Sequence, residues 1–345
     1  MPAFANLALA LDTPPMEAKL ADAIPDGEGW QFEPKWDGFR CLAFRDGEQV
    51  ELMSKSGKPL ARYFPEIAQA LLALREKRFI LDGELVLPVG EVLSFAALQL
   101  RLHPAASRIE KLSRETPAQL MLFDCLQIGA RTLAGAPLRE RRAALDQFMQ
   151  STAGPDLLLS PCATDPRAAE RWLTSSGGAL DGIVAKRLDQ PYQPGERAMI
   201  KVKQQRTADC VVGGYRLSGD GVGSLLLGLY DDGGKLNYVG FTSSFSNEEK
   251  AALLKKLSPS QGESAFTGSS PGGQSRWSRG RSTEWVPLRP ELVAEVVYDQ
   301  VTGQRFRHGT TFLRWRPDKA PRQCTMEQLE HELRPAALAE LLEPA

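Results

Sequence analysis

A lysine, an aspartate, a glycine and an arginine follow one another closely near the start of the chain, at Lys35, Asp37, Gly38 and Arg40. Apolar residues alternate on both sides, which predicts that Lys35 lies where one strand ends and another begins, with Gly38 permitting a tight turn. A lysine amine attacks phosphorus when it is uncharged, and nearby positive charge and partial burial both favour that form. Lys35 is therefore a candidate nucleophile. The alternative is a surface lysine beside a solvated aspartate, because so short a motif also matches by chance.

The elements expected around Lys35 are short strands and a few helices. Two alternating runs meet at Asp46-Gly47, a dipeptide typical of a hairpin. A strand over residues 79–86 puts Asp82 and Glu84 on one face, since side chains two residues apart on a strand point the same way. Further strands are predicted at residues 118–126, 181–186 and 198–203, and helices at residues 64–77, 138–150 and 165–175.

Beyond residue 204 the pattern changes to short strands separated by turns, so we place a domain boundary near residues 204–207. Residues 246–249 form a capping box that opens a helix ending at Leu257. Residues 258–283 are rich in Gly, Ser and Pro, which predicts a flexible loop. Strands are expected at residues 210–216, 224–230, 235–241, 292–299 and 311–316, followed by a last helix from Thr325. This pattern predicts a small β-rich domain.

Length and composition limit the class of protein. A chain of 345 residues with 42% hydrophobic and 25% charged residues suggests two globular domains. Because the sequence shows no apolar run of about 18 residues and no signal peptide, we expect a cytoplasmic protein without a membrane partner. The five cysteines form no C-x-x-C pair, which favours reduced thiols over a structural zinc site.

The net charge of −1 gives no support for a nucleic-acid partner, but the local charge does. Residues 276–322 contain ten basic and five acidic side chains, a net charge of +5. Such a segment could neutralise several phosphates, and binding would then depend on salt. A solvated basic face is the alternative.

Six further runs follow Lys35 in a fixed order: SKSGK at residues 54–58, LDGEL at 81–85, LFD at 122–124, DGIVAK at 181–186, MIKVK at 199–203 and RPDK at 316–319. Together with residues 33–40, they resemble the motifs of the covalent nucleotidyltransferases, which comprise ATP-dependent DNA ligases, RNA ligases and messenger-RNA capping enzymes. The sequence is most similar to the small bacterial C-type DNA ligases and to the ligase domain of bacterial end-joining enzymes.

The resemblance implies an α+β fold in two domains. Residues 1–204 would form an adenylation domain of the nucleotidyltransferase (ATP-grasp-like) type around mixed, antiparallel sheets. Residues 205–345 would form an OB-fold β-barrel with the flexible loop at about 258–283 and a C-terminal helix.

The implied activity is that of an ATP-dependent DNA ligase, which seals nicks in duplex DNA during repair. Lys35 would attack the α-phosphate of ATP, release pyrophosphate and carry AMP, with Mg²⁺ or Mn²⁺ as the metal. AMP would pass to the 5′-phosphate of the nick, and the 3′-hydroxyl would displace it. We expect a monomer in the bacterial cytoplasm at the nucleoid, with a repair polymerase or an end-binding protein as the candidate partner.

The resemblance also implies roles for single residues. The catalytic set is Lys35, Asp37, Lys201, Lys203, Arg316, Asp318 and Lys319. The nucleotide-binding set is Glu33, Lys35, Arg40, Lys55, Glu84, Phe123, Lys186, Lys201 and Lys203. The metal ligands are Glu84 and Asp181.

Within these sets, Phe123 would stack on the adenine, although a strand phenylalanine in the core is the alternative. Glu33 would accept a hydrogen bond from the adenine amino group, and Glu84 could contact the ribose. Two residues depart from the family pattern. Lys55 stands where an arginine is frequent and cannot make its forked contact, and Asp181 stands where glutamate is usual, so that its metal contact could pass through a water molecule.

Arg316, Asp318 and Lys319 resemble a motif that orients the pyrophosphate leaving group in the first step only. An arginine that contacts DNA phosphates throughout is the alternative for Arg316.

Three other functions use similar residues. A capping guanylyltransferase would use GTP, and an RNA ligase typically lacks the OB-like half. The run at residues 312–319 resembles the bacterial DNA ligases more than either. A non-catalytic nucleic-acid clamp is disfavoured because Lys35 and the lysine pair Lys201 and Lys203 are all retained.

Overall fold

The computed structural model describes residues 4–90, 92–151, 154–175, 180–203, 206–272 and 284–329. The described residues separate into two compact units, which we call the first unit (residues 4–203) and the second unit (residues 206–329). The boundary predicted near residues 204–207 falls partly on residues 204 and 205, which lie outside the described residues.

The first unit alternates strands with short helices. Its strands are β1 (Ala18–Ala21), β2 (Trp30–Trp36), β3 (Phe39–Asp46), β4 (Gln49–Ser54), β5 (Arg78–Val86), β6 (Pro88–Val89), β7 (Val92–Leu93), β8 (Gln119–Ile128), β9 (Arg131–Thr132), β10 (Leu157–Leu159), β11 (Leu180–Arg187) and β12 (Met199–Val202). Its α-helices are α1 (Pro65–Ala73), α2 (Phe95–Leu100), α3 (Ala106–Glu115), α4 (Leu138–Gln150) and α5 (Pro166–Ser175), with a 3₁₀ turn at Ala61–Tyr63.

Two sheets dominate the described part of the first unit. One has the strand order β1-β12-β11-β2, and the other has the order β10-β8-β5-β3-β4 with β9 beside β8. Most neighbours are antiparallel, but β1 runs parallel to β12 and β10 runs parallel to β8. Buried apolar residues from both sheets, including Leu42, Phe44, Leu126 and Met199, belong to one hydrophobic cluster. The strands that carry the motif residues therefore share a packed core.

Lys35 lies near the end of β2, and β3 begins three residues after β2 ends, as the sequence predicts. Gly38 in this turn is needed because of a close approach between backbones. A Cβ atom at position 38 would lie 2.1 Å from the carbonyl oxygen of Leu85 on β5. Gly38 thus lets the turn that follows Lys35 pack directly against β5.

The second unit is built around one antiparallel sheet. Its elements are β13 (Arg206–Ser218), β14 (Gly221–Tyr230), β15 (Leu236–Thr242), α6 (Asn247–Leu257), β16 (Val286–Pro287), β17 (Val293–Tyr298), β18 (Val301–Thr302), β19 (Arg305–Phe306) and β20 (Thr311–Trp315), with 3₁₀ turns at Ser258–Ser260, Pro321–Gln323 and Met326–Leu329. The sheet order is β15-β14-β13-β17-β20, with β16 beside β13. The predicted capping box is present, because Ser246 and Glu249 bond each other's backbone amides at the start of α6.

Several predicted boundaries differ from the structure. The helix predicted over residues 64–77 ends four residues early, and Leu74 has an extended backbone (φ −64°, ψ 149°). The buried Arg45 guanidinium donates to the carbonyl oxygens of Leu71, Leu72 and Leu74 at 2.6–2.9 Å. The prediction of a longer helix was wrong because this tertiary contact, which local periodicity does not encode, satisfies the last carbonyls.

The C-terminal predictions fall partly outside the described residues. The helix expected from Thr325 is a 3₁₀ turn over Met326–Leu329 where it is described, and residues 330–345 lie outside. Within the predicted flexible loop, Ala265 and Phe266 are buried in the core of the second unit, whereas residues 273–283 lie outside the described residues. Across the described ranges, the structure shows no helix long and apolar enough to cross a membrane.

The Gly38 contact gives a prediction about stability. We expect Gly38→Ala to lower the free energy of unfolding by roughly 2 kcal/mol or more, because the added methyl group meets backbone that must move. Urea unfolding measures this loss. Gly135→Ala is the matched control, because a Cβ atom there meets nothing within 4 Å. Equal stability of the two variants would contradict the close approach at Gly38.

Candidate active site

A cavity of about 620 Å³ opens in the first unit. Its walls come from both sheets and from the segment that leads into β1. The predicted site residues among those lining it are Glu33, Lys35, Arg40, Lys55, Glu84, Phe123, Lys186 and Lys201. A cavity of this volume is in the range that holds a small ligand.

Two lysines contact one carboxylate beside the cavity, and a third lysine, Lys201, lies near them. Lys35 Nζ lies 2.6 Å from Asp181 Oδ2, and Lys203 Nζ lies 3.0 Å from Asp181 Oδ1. The pKa of Lys201 is lowered first by burial and then by repulsion from Lys35 and Lys203. The structure therefore brings the candidate nucleophile and the lysine pair together, and Asp181 offsets part of their mutual repulsion.

An irregularity in β11 sets the position of Asp181. The pairing of β11 with β2 shifts register between Leu180 and Ile183, the mark of a β-bulge. Gly182 within the shift has φ +111°, and a Cβ atom there would lie 2.1 Å from the carbonyl oxygen of Val202 on β12. The bulge places Asp181, which precedes Gly182, within reach of both Lys35 and Lys203.

A second group of contacts surrounds Phe123, which is 7% exposed. The Arg40 guanidinium carbon lies 4.6 Å from the centre of its ring, and Lys186 Nζ lies at the same distance from that centre. Lys186 Nζ also lies 2.7 Å from Glu33 Oε2. Phe123 is thus buried, contacts two cationic side chains and also borders the cavity.

The carboxylate of Glu33 has a neighbour on each oxygen. Gln31 Nε2 donates to Oε1 at 2.7 Å, and Lys186 contacts Oε2. All three side chains are buried, so their arrangement is fixed by the pairing of β2 with β11.

Glu84 borders the cavity from β5 and is half-buried. Burial raises the pKa of its carboxyl group to about 7, and the charges of Arg40 and Lys35 partly oppose the rise. Asp37, in the turn after β2, adds to the rise through its negative charge. Lys55 lies just past the end of β4, is largely exposed, and pairs with Glu17 at 3.0 Å.

Arg316, Asp318 and Lys319 belong to the second unit and form a cluster there. Arg316 Nη1 donates to Asp209 Oδ1 at 3.0 Å, and its Nη2 donates to Asp318 Oδ2 at 2.8 Å. Lys319 Nζ donates to Asp209 Oδ2 at 2.7 Å. The hydrogen bond from Arg316 lowers the pKa of Asp318 to about 2. Carboxylates thus occupy much of the hydrogen-bonding capacity of this basic motif.

The structure also identifies residues that the motifs did not. Asp82 is fully buried and binds Arg40 through both oxygens at 2.6 Å, although the sequence suggested a role only for its neighbour Glu84. Glu17 and Asp209 pair with predicted site residues from sequence-distant positions, and no local signal marks either of them.

The predicted metal site consists of Glu84 and Asp181. Within the described ranges, no group of three or more His, Cys, Asp and Glu side chains is arranged to hold a metal ion. Glu84 lines the cavity, and Asp181 contacts Lys35, which also lines it. Mg²⁺ is commonly bound by one or two carboxylates together with substrate phosphates and water, so these two carboxylates are compatible with it.

Comparison with known proteins identifies the class. The model of the ATP dependent DNA ligase domain matches residues 15–203, and that of the ATP dependent DNA ligase C terminal region matches residues 218–319. The chain therefore belongs to the family of ATP-dependent DNA ligases, and ATP is its nucleotide substrate.

Individual relatives agree with this family. DNA ligase C2 of Mycolicibacterium smegmatis is 48% identical over 334 residues, which cover 92% of this chain and 94% of that protein. DNA ligase C of Mycobacterium tuberculosis is 45% identical over 338 residues, which cover 92% of this chain and 94% of that protein. The multifunctional end-joining protein LigD of M. tuberculosis is 31% identical over 306 residues, which are 86% of this chain and 37% of that protein.

A solved structure of a Lig E DNA ligase is similar in fold, with a TM-score of 0.55 at 18% identity, and covers 87% of this chain and 99% of that one. These findings confirm the predicted DNA ligase function, its resemblance to the C-type ligases, and the α+β fold with nucleotidyltransferase and OB-fold domains. RNA ligase, capping enzyme and non-catalytic clamp are not supported.

The environment of Glu84 predicts a pH dependence of stability. Its carboxyl group has a pKa of about 7 when folded and an ordinary value of 4.5, so the folded state binds more protons between these values. Stability is then lost as pH rises from about 4.5 to about 7. We expect Glu84→Gln to gain stability relative to the parent with rising pH, by up to about 3 kcal/mol above pH 7.

Urea unfolding at pH 5 and pH 8, with EDTA and without nucleotide, measures this gain. The exposed Glu196 provides the control substitution Glu196→Gln, for which we expect the same stability difference at both pH values. A pH-independent effect of Glu84→Gln would contradict the burial of an acidic group at the cavity.

Proposed function

We propose that this ligase seals nicks in duplex DNA through AMP carried on Lys35. The observation that supports this role most strongly is the convergence of Lys35, Lys201 and Lys203 beside a cavity that also presents an aromatic ring, Phe123. A nucleophilic amine, positive charge for phosphate oxygens and a stacking surface are the groups that nucleotide transfer to an enzyme requires.

In the first step, the Lys35 nitrogen forms a bond with the α-phosphorus of ATP, and the bond to pyrophosphate breaks. The attacking amine must be free of its extra proton, so the hydrogen bond from Lys35 to Asp181 has to be released before attack. Lys201 and Lys203 stabilise the negative charge that develops on the phosphate oxygens. The product is a lysyl-AMP phosphoramidate and free pyrophosphate.

In the later steps, the 5′-phosphate of a nick attacks the AMP phosphorus and Lys35 leaves as an amine. The 3′-hydroxyl of the neighbouring strand then attacks the activated 5′-phosphate and AMP departs. Each step exchanges one bond at phosphorus for another, so the same lysines serve all three.

The nucleotide contacts follow from the same cavity. Phe123 stacks on the adenine, Arg40 and Lys55 bind the ribose and phosphates, and Glu33 with Lys186 recognises the edge of the base. Arg40 is well suited to this because its guanidinium is already fixed by Asp82 on one side and by the Phe123 ring on the other.

Glu84 and Asp181 would hold Mg²⁺ or Mn²⁺ together with phosphate oxygens of ATP. The fit is supported by Glu84, a half-buried residue whose carboxyl pKa is raised, because a cation would stabilise the charged form of this group. The ion supplies positive charge to the phosphates when bound.

We further propose a monomer that acts in DNA repair. The net positive charge of residues 276–322 supports a role of this segment in binding duplex DNA. The similarity to the end-joining protein LigD makes a repair polymerase or an end-binding protein the partner class to test.

Covalent labelling tests the nucleophile. We expect Lys35→Ala to abolish labelling by α-labelled ATP in denaturing electrophoresis, because the amine that forms the phosphoramidate is gone. Lys77→Ala is the control, since Lys77 is exposed and pairs with Glu48 rather than with a cavity residue. Undiminished labelling of the Lys35→Ala protein would refute the assignment.

The basic motif of the second unit gives a second test. If Arg316 orients pyrophosphate, it serves only the first step, because no pyrophosphate remains afterwards. We expect Arg316→Ala to lose nearly all self-adenylylation, while sealing of a nick that already carries AMP stays within several-fold of the parent. Arg314→Ala, which removes an exposed arginine paired with Glu295, is expected to retain adenylylation. Equal losses in both assays would make Arg316 a DNA-binding or structural residue.

A further inference from the structure

Tyr192 lies in the loop between β11 and β12, is 5% exposed, and belongs to none of the sequence motifs. Its hydroxyl group donates to Asp82 Oδ2 at 2.7 Å and accepts from the backbone amide of Met16 at 2.9 Å. The loop, a central strand and the segment before β1 thus meet at one oxygen atom.

Asp82 is the link between this oxygen atom and the cavity. Arg40 Nε donates to Asp82 Oδ1 at 2.6 Å, and Arg40 Nη2 donates to Oδ2 at 2.6 Å. Oδ2 therefore receives hydrogen bonds from both Arg40 and Tyr192. Because Asp82 is 0% exposed, water does not replace either bond, and the phenol helps to hold the carboxylate in its orientation.

The phenol is held in its donating form. Burial, followed by the negative charge of Asp82, raises the pKa of Tyr192 well above its usual value. The ring is fixed on another side by Arg141, whose guanidinium carbon lies 5.7 Å from the ring centre. Arg141 is itself buried in an ion pair with Asp124, so the ring packs against a rigid neighbour.

The hydrogen bond between Tyr192 and the Met16 amide holds a different part of the cavity wall. Met16 and Glu17 line the cavity, and Glu17 pairs with Lys55. By binding the Met16 amide, Tyr192 holds this wall segment beside the strand that carries Asp82.

We propose that Tyr192 is a positioning residue for ATP binding. The hydroxyl group of Tyr192 fixes the Asp82 carboxylate, which in turn holds the Arg40 guanidinium over Phe123. This inference rests on the proposed function, in which Arg40 binds the nucleotide. Tyr192 contacts no reacting atom. It acts mainly through Arg40, and its hydrogen bond to the Met16 amide gives secondary support to the cavity wall.

Tyr192→Phe tests the role because it removes only the hydroxyl group and keeps the packed ring. The rate of self-adenylylation is measured against ATP concentration, together with the thermal unfolding midpoint. We expect KM for ATP to rise about tenfold and the rate at saturating ATP to stay within about twofold, because the interaction contributes to binding of ground state and transition state alike. Tyr215→Phe is the matched control, since it removes another buried phenol with one hydrogen bond, to Gln261, outside the first unit. This variant should keep the parent KM.

A double variant separates positioning from general support of the fold. If Tyr192 acts mainly through Arg40, the increase in KM caused by Tyr192→Phe should largely disappear in an Arg40→Lys background, which lacks the forked contact with Asp82. An unchanged KM for Tyr192→Phe would overturn the inference, as would an increase that persists fully in the Arg40→Lys background. If the parent enzyme failed to become covalently labelled with AMP, the proposed function itself would be refuted instead.

Discussion

The site depends on the repulsion between three lysine side chains and on the Asp181 carboxylate, which offsets part of it. Lys35, Lys201 and Lys203 lie close enough for Lys201 to be affected by both of the others, and Asp181 contacts Lys35 and Lys203. Phosphate oxygens can take over the role of Asp181, since they also carry negative charge. In the mechanism that we propose, the nucleotide would replace the carboxylate as the partner of Lys35 before attack.

Two glycines let backbone segments approach each other closely enough to place these charged groups together. Gly38 and Gly182 both lie where a Cβ atom would approach a carbonyl oxygen to 2.1 Å. The first glycine lies in the turn that follows Lys35, and the second lies in the bulge that positions Asp181. Lys35, Asp181 and Lys201 therefore lie on strands of one sheet, which sets their separation.

Local patterns in the sequence predicted much of the fold, but not its long-range contacts. The hairpin at Asp46-Gly47 and the helix Leu138–Gln150 follow from turn chemistry and periodicity. The parallel pairing of Ala18–Ala21 with Met199–Val202 joins strands about 180 residues apart, and no local pattern encodes it. For the same reason the motifs pointed to Lys35, Glu84 and Phe123, whereas the partners that hold the site, such as Tyr192, became visible only in three dimensions.

The central claim is that Lys35, and neither of the lysines beside it, carries AMP. Peptide mapping by mass spectrometry after incubation with ATP and Mg²⁺ tests it most directly, because the phosphoramidate adds the mass of AMP to one peptide. The account predicts that this mass is found on the peptide that contains Lys35, with one pyrophosphate released for each AMP bound. AMP on Lys201 or Lys203, or release of pyrophosphate without any modified lysine, would contradict it.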